Sequence, residues 1–234
     1  TACSGFDVLC HGLESYTALP FSSRNYSGDP SERPVYQGSN PISDICAIKA
    51  IELVSKNIVN AVKFPDNLKY RENMLLASTL AGIGFGNAGC HLPHGMSYAV
   101  SGYVKDYLPE GYPTEKPIIP HGLSVIVNAP AVFRFTFKSD PARHLHAASL
   151  MGIETKTLSV NGTESKGILS EAIISLLKSL NMPNGLHSLG YNFSDIPKLV
   201  EATLPQHRVT KLSPIQVGRQ DLGQLFSDSM SLWD

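Results

Sequence analysis

Apolar residues along this chain recur mainly at spacings of three and four, the period of a helix, and alternating strand patterns are scarce. Leu9, Leu13 and Tyr16 predict a first helix over Phe6 to Ala18, stopped by Pro20. Prolines, serines and glycine from Pro20 to Asn40 predict a long loop. Asn40-Pro41 reads as a helix start, a capping side chain followed by proline at the first helical position. That helix runs to about Val62, with Ile51, Val54, Ile58 and Val62 as its apolar stripe. Pro65-Asp66 caps a second long helix, roughly Asn67 to Ala88, carrying Leu75, Leu76, Leu80 and Ile83 and delivering the chain into His91 and His94. Residues 104–116 are polar and turn-rich, and Pro120-His121-Gly122 opens an apolar segment over Leu123 to Phe137. Asp140-Pro141 starts a helix through Leu150, and Thr163 to Leu180 is amphipathic through Leu169, Ile173, Leu176 and Leu180. Two shorter helices follow over Asn192 to Leu204 and Asp221 to Leu232. The pattern predicts a mostly α domain of about eight helices, with no internal repeat or low-complexity block.

Composition narrows the function classes. A length of 234 residues allows one large domain or two small ones, and 42% hydrophobic residues supply a substantial core. With 19 basic against 20 acidic side chains and no basic patch interleaved with aromatics, nucleic acid is not expected as a partner. No apolar run reaches the ~18–20 residues that span a bilayer, so no membrane partner is expected. Cys3, Cys10, Cys46 and Cys90 lack C-x-x-C spacing and read as buried free thiols. Asn25, Asn161 and Asn192 open N-x-S/T triplets, a pattern that arises often by chance. The chain begins at Thr1 with no signal-like segment, and is expected to be a piece whose upstream part is missing.

Chemistry concentrates in two places. Three of the eight histidines, His91, His94 and His121, fall between Gly89 and His121. Imidazole is the commonest protein ligand for divalent transition metals. Near the start, Asp7 and His11 stand four residues apart, on one face of a helix, where both can reach one ion. The resulting hypothesis is a single metal site built from Asp7, His11, His94 and His121, with His91 as the alternative to His94. Gly84, Gly86 and Gly89 match G-x-G-x-x-G, but the residues before them are helical, so they predict close helix packing rather than a pyrophosphate loop. His144, His146, His187 and His207 read as non-ligands, and Arg71 as a partner in a structural ion pair.

Several ordered motifs resemble a known family. They are the stretch Gly5 to Tyr16, Gly38 to Asp44, Ala81 to Gly89, His94 to Tyr98, and Pro120-His121-Gly122-Leu123. Together they resemble the carboxy-terminal helical domain of the iron-containing (group III) alcohol dehydrogenases, over essentially the whole chain. Within that family the resemblance is to the mitochondrial hydroxyacid-oxoacid transhydrogenase branch, supported also by the stretch Thr203 to Leu212. The fold implied is the helical domain of the dehydroquinate synthase-like class, without the α/β nucleotide-binding domain and its glycine-rich phosphate loop. The metal implied is Fe2+, although ligand softness suits Zn2+ comparably, and NAD would be bound mainly by a domain outside this chain. The resemblance assigns Asp7, His11, His94 and His121 as ligands. Tyr98 stands where the family has a second, non-ligand histidine, so a proton role there passes to a tyrosine hydroxyl. The implied substrates are small hydroxy and oxo acids, such as 4-hydroxybutyrate and 2-oxoglutarate, whose carboxylates need cationic partners. Arg208, Lys211 and Lys105 are the candidates. A mitochondrial location and a homo-oligomer are further expectations. The competing expectation is a truncated product that folds and binds metal but lacks hydride transfer.

Overall fold

Helix α1, Ala2–Thr17, runs through the middle of the molecule and carries both the core and the site. Its Phe6, Leu9, Cys10 and Leu13 are fully buried. Burying each of the larger apolar side chains is worth roughly 2 kcal/mol. Two long helices pack on it, α2 (Pro41–Lys63) and α3 (Leu68–Ala88), joined by a short connection as a helical hairpin. The computed structural model describes residues 1–24, 28–160 and 162–234; Asn25 and Asn161 lie outside the described residues. After α3 come α4 (Leu92–Gly102), α5 (His121–Ile126), α6 (Ala129–Thr136), α7 (Pro141–Leu150) and α8 (Ile168–Ser179). The chain ends with α9 (Ile196–Thr203), the single turn α10 (His207–Thr210) and α11 (Arg219–Asp228). Among the described residues there is no β-strand, only an isolated bridge between Pro20 and Ser39. No described helix is long and apolar enough to cross a membrane.

Local chemistry explains most boundaries. The Asn40 side chain accepts hydrogen bonds from the Ile42 and Ser43 amides, with Pro41 behind it, as the sequence predicts. For α3 the cap is Asn67, whose side chain accepts from the Lys69 amide, rather than Pro65-Asp66. Asp140 caps α7 through the Arg143 amide at 3.1 Å. The loop after α1 is tied down by backbone bonds from Leu19 to Leu212, Gln37 to Asn87 and Gly38 to Ala88. Some predicted elements divide. The apolar segment after His121 breaks at Val127 and Asn128 into α5 and α6. The stretch from Thr163 begins as a 3₁₀ turn before α8.

One predicted face is reversed. Of the apolar residues expected to pack α3, three point outward, Leu75 at 71% exposure, Leu76 at 49% and Ile83 at 55%, and Leu80 is half-buried. The buried face is Ala77, Ala81, Gly84 and Ala88. Small residues let α3 sit close to α2, and a Cβ on Gly84 would lie 3.4 Å from the Ser43 carbonyl oxygen. The glycines of the G-x-G-x-x-G stretch therefore belong to a helix and its carboxy-terminal turn, with no strand before them. Arg71 is also corrected: it is exposed, reaches the Pro65 carbonyl oxygen at 3.4 Å, and makes no ion pair among the described residues.

Candidate metal centre

Three helices converge on one point. α1 presents Asp7 and His11 one turn apart, with His11 Nδ1 3.8 Å from Asp7 Oδ2. α3 ends at Gly89, whose φ of +87° turns the chain back; a Cβ there would lie 2.3 Å from the Leu212 side chain. α4 starts directly afterwards and carries His94 inward, to 3% exposure. α5 brings the third contribution. Its Gly122 lies so close to α1 that a Cβ would stand 1.9 Å from the Cys3 carbonyl oxygen and 2.9 Å from Asp7 Cβ. That approach sets His121, at the first position of α5, beside Asp7.

The distances describe a tight group. His94 Nε2 is 3.3 Å from Asp7 Oδ1, and His121 Nε2 is 3.6 Å from the same oxygen. One ligand atom from each of the three lies within 4.8 Å of the others. The His11 ring stands 4.4 Å from that of His94 and stacks on Phe85 at 3.9 Å. All four residues singled out by sequence thus meet in space.

Two atoms here are orphans. Asp7 Oδ1 and His94 Nε2 are buried and, despite their 3.3 Å separation, have no hydrogen-bond partner. An unsatisfied buried polar atom costs roughly 1–3 kcal/mol. Glu14 shows why the pair faces this way. Its carboxylate is fully buried and accepts from His94 Nδ1 at 2.6 Å and from the His91 amide at 2.7 Å. When the ring is neutral, with its Nδ1 proton on Glu14, Nε2 presents a lone pair to a carboxylate oxygen. Two acceptors face each other, which a proton or a cation between them resolves. A carboxylate holding the far nitrogen of an imidazole is the usual support of a metal-ligating histidine. The donor set fits a divalent transition metal.

Burial would lower His94, but Glu14 and Asp7 on either side of it hold it well above its ordinary value, so that a proton on Nε2 takes the place a cation would fill. Burial alone would raise the Asp7 carboxyl, but the close approach of His94 and the charges of the neighbouring imidazoles hold it below the ordinary range. Burial likewise opposes ionisation of Glu14, and the charge of His94 outweighs it. Burial, then His94, lowers His11 to about 4, leaving a neutral ring with a free lone pair. Burial raises the Cys90 thiol to about 11.

The remaining predicted residues fall around this group. Tyr98 stacks near His121, with ring centroids 6.4 Å apart, and its hydroxyl accepts from Arg208 at 3.3 Å. Arg208 and Lys211 line a hollow of about 240 Å3 together with Arg24, Tyr36 and His207. Lys105 instead pairs with Asp195 at 2.6 Å and lines a different hollow that contains none of the four clustered residues. His91 points away: it contacts Thr17 Oγ1 at 3.0 Å and lies edge-on to Phe133. His144, His146 and His187 bond to Thr136, Tyr16 and the Tyr191 carbonyl respectively. Two residues escaped the sequence reading, Glu14 and Cys90. Glu14 had a signal: Asp7, His11 and Glu14 follow at i, i+4 and i+7, a polar stripe on an otherwise apolar helix.

Comparisons with known proteins point one way. The sequence model of the Fe-containing alcohol dehydrogenase family, C-terminal, matches residues 32–230. A hydroxyacid-oxoacid transhydrogenase, mitochondrial, from Rattus norvegicus is 51% identical over 231 residues, 98% of this chain and 49% of the relative. A probable hydroxyacid-oxoacid transhydrogenase, mitochondrial, from Dictyostelium discoideum is 52% identical over 234 residues, 98% of this chain and 42% of the relative. The chain therefore spans about half the length of these curated relatives, or less. Among solved structures, a 1,3-propanediol oxidoreductase superposes with a TM-score of 0.80 at 27% identity, over 98% of this chain and 51% of that one. A sulfoacetaldehyde reductase from Bifidobacterium kashiwanohense, in complex with NAD+, shares the fold with a TM-score of 0.72 at 23% identity, over 98% of this chain and 50% of that one. On the match over residues 32–230, which spans α2 to α11, the chain belongs to the Fe-containing alcohol dehydrogenase family, as its C-terminal helical part.

Proposed function

We propose that this chain is the metal-binding part of an oxidoreductase that moves hydride from a hydroxy acid to an oxo acid. In this reading Asp7, His11, His94 and His121 hold one divalent ion, Fe2+ by family and Zn2+ by comparable ligand softness. The observation that carries it is the pair of orphaned buried atoms, Asp7 Oδ1 and His94 Nε2, converging with His121. Bound there, such an ion supplies Lewis acidity toward a hydroxyl or carbonyl oxygen. The chain's own residues do the rest. Glu14 fixes the His94 ring, and Gly122 keeps His121 against α1. Tyr98, beside His121, gives and takes the proton at the substrate oxygen through its hydroxyl. Arg208, on that hydroxyl, and Lys211 nearby supply positive charge for a substrate carboxylate. The G-x-G-x-x-G stretch is helical and offers no phosphate loop; in this reading the nicotinamide cofactor is held mainly by a domain outside this sequence. The names of the relatives support hydroxy and oxo acids as substrates and a mitochondrial location. Within that class 4-hydroxybutyrate and 2-oxoglutarate are the proposed pair.

Metal content after anaerobic purification tests the reading, on the native chain and on His94→Ala, His91→Ala and Tyr98→Phe. One Fe or Zn per chain is expected in the native, His91→Ala and Tyr98→Phe forms and is lost in His94→Ala. Metal that survives His94→Ala, or its absence from the native chain, overturns the ligand set.

A further inference from the structure

We infer that Cys90 is an alternative sulfur ligand of this cluster, joining His11 and His94 to hold a soft divalent ion. The inference rests on the metal-binding reading above and adds to it a second, overlapping donor set. The Cys90 sulfur, one nitrogen of His11 and one of His94 lie within 4.8 Å of one another. In a tetrahedral site with Zn–S of ~2.3 Å and Zn–N of ~2.0 Å, ligand atoms stand roughly 3.5 Å apart. Small side-chain adjustments close the difference. Cys90 is a free thiol, only 5% exposed, and sits directly before α4 with its sulfur toward two imidazoles. His94 Nε2, buried and without a hydrogen-bond partner, is the independent sign that something binds here.

The two donor sets share His11 and His94 and differ in character. Asp7, His11, His94 and His121 offer one oxygen and three nitrogens; His11, Cys90 and His94, gathered within 4.8 Å, offer one sulfur and two nitrogens. Thiolate sulfur favours Zn2+, Cd2+ and Co2+ over hard cations. On binding, the S–H bond breaks, sulfur donates its electron pair to the ion and the proton leaves to solvent, with no change of oxidation state. The thiolate adds a negative donor, which reduces the ion's pull on a substrate oxygen. Metal identity would then set activity through the side chain that the ion recruits.

Titration of the metal-free 234-residue chain with Co2+ tests this, alongside Cys90→Ser and His121→Ala. The native chain and His121→Ala are expected to develop a near-ultraviolet sulfur-to-cobalt charge-transfer band. Cys90→Ser is expected to bind a single Co2+ through Asp7, His11, His94 and His121 without that band. X-ray absorption on the Co2+-loaded native chain should show one sulfur in the coordination shell, a reading that needs no variant to fold. Co2+ binding with neither band nor sulfur scatterer overturns the sulfur ligand while leaving the metal site standing. A band that persists in Cys90→Ser also overturns it. Failure of every form to bind Co2+ removes the metal-binding reading itself and this one with it.

Discussion

At the scale of single residues, Glu14 and His91 carry the clearest consequences. Glu14 accepts from the His94 ring and from the amides of His91 and His94, so one carboxylate fixes the start of α4 and the orientation of its histidine. Glu14→Gln keeps one acceptor oxygen and the volume but removes the charge; metal affinity, measured by competition with a chelator, should fall about 10–100-fold while the helical circular dichroism is kept. Glu14→Ala leaves buried donors unpaired, and should cost roughly 3–5 kcal/mol in denaturant unfolding. His91 is fully buried and its pKa is lowered to about 4, by burial first, with Glu14 opposing and His144 and His94 adding. Its unfolded value is near 6.5. Between those values the unfolded chain binds a proton that the folded chain does not, so stability falls as pH drops from about 6.5 toward 4. The native chain should therefore lose about 1.4 kcal/mol per pH unit more than His91→Gln across that window, measured by urea unfolding. Equal acid slopes would show that His91 is not held neutral.

At the scale of elements, close backbone approach decides what the site looks like. Gly122→Ala puts a methyl group into the Cys3 carbonyl, so α5 must move off α1 and carry His121 away from Asp7. The variant should remain helical but lose most of its metal, as read by elemental analysis; full retention would mean that α5 does not position the ligand. Small-residue packing also separates what was legible in the sequence from what was not. The i, i+4 pair on α1, the Asn40 and Asp140 caps and the Pro-His-Gly entry to α5 each follow from local chemistry, and all stand where expected. The buried face of α3 did not follow, because hydrophobicity alone ranks Leu75, Leu76 and Ile83 above Ala77, Ala81 and Gly84. What decided the face was the short distance to α2, which only small side chains permit. Leu75→Ala should accordingly change unfolding free energy by no more than about 0.5 kcal/mol. Ala81→Leu should cost about 1–3 kcal/mol by overpacking. Glu14 and Cys90 were hidden differently: the polar stripe on α1 marks Glu14, but what it and Cys90 meet depends on α4 folding back across α1, a long-range event that no local pattern encodes.

At the scale of the whole molecule, the cluster is an intersection of α1, α4 and α5 rather than a property of any one of them. Its residues run from position 7 to position 121, and the loop before α5 must be closed before His121 arrives. Closing long loops is entropically unfavourable, so contacts of this kind form late. An ion held at such a junction acts as a latch rather than a template. It cannot gather the chain early, because in the unfolded ensemble its donors are far apart. Once they have met, it must be released before α5 can leave. Saturating metal should therefore slow unfolding in stopped-flow experiments by a factor close to the full gain in stability, while the refolding rate stays nearly unchanged. The sequence distance between Asp7 and His121 would in that way set the lifetime of the folded chain, through the path by which it comes apart.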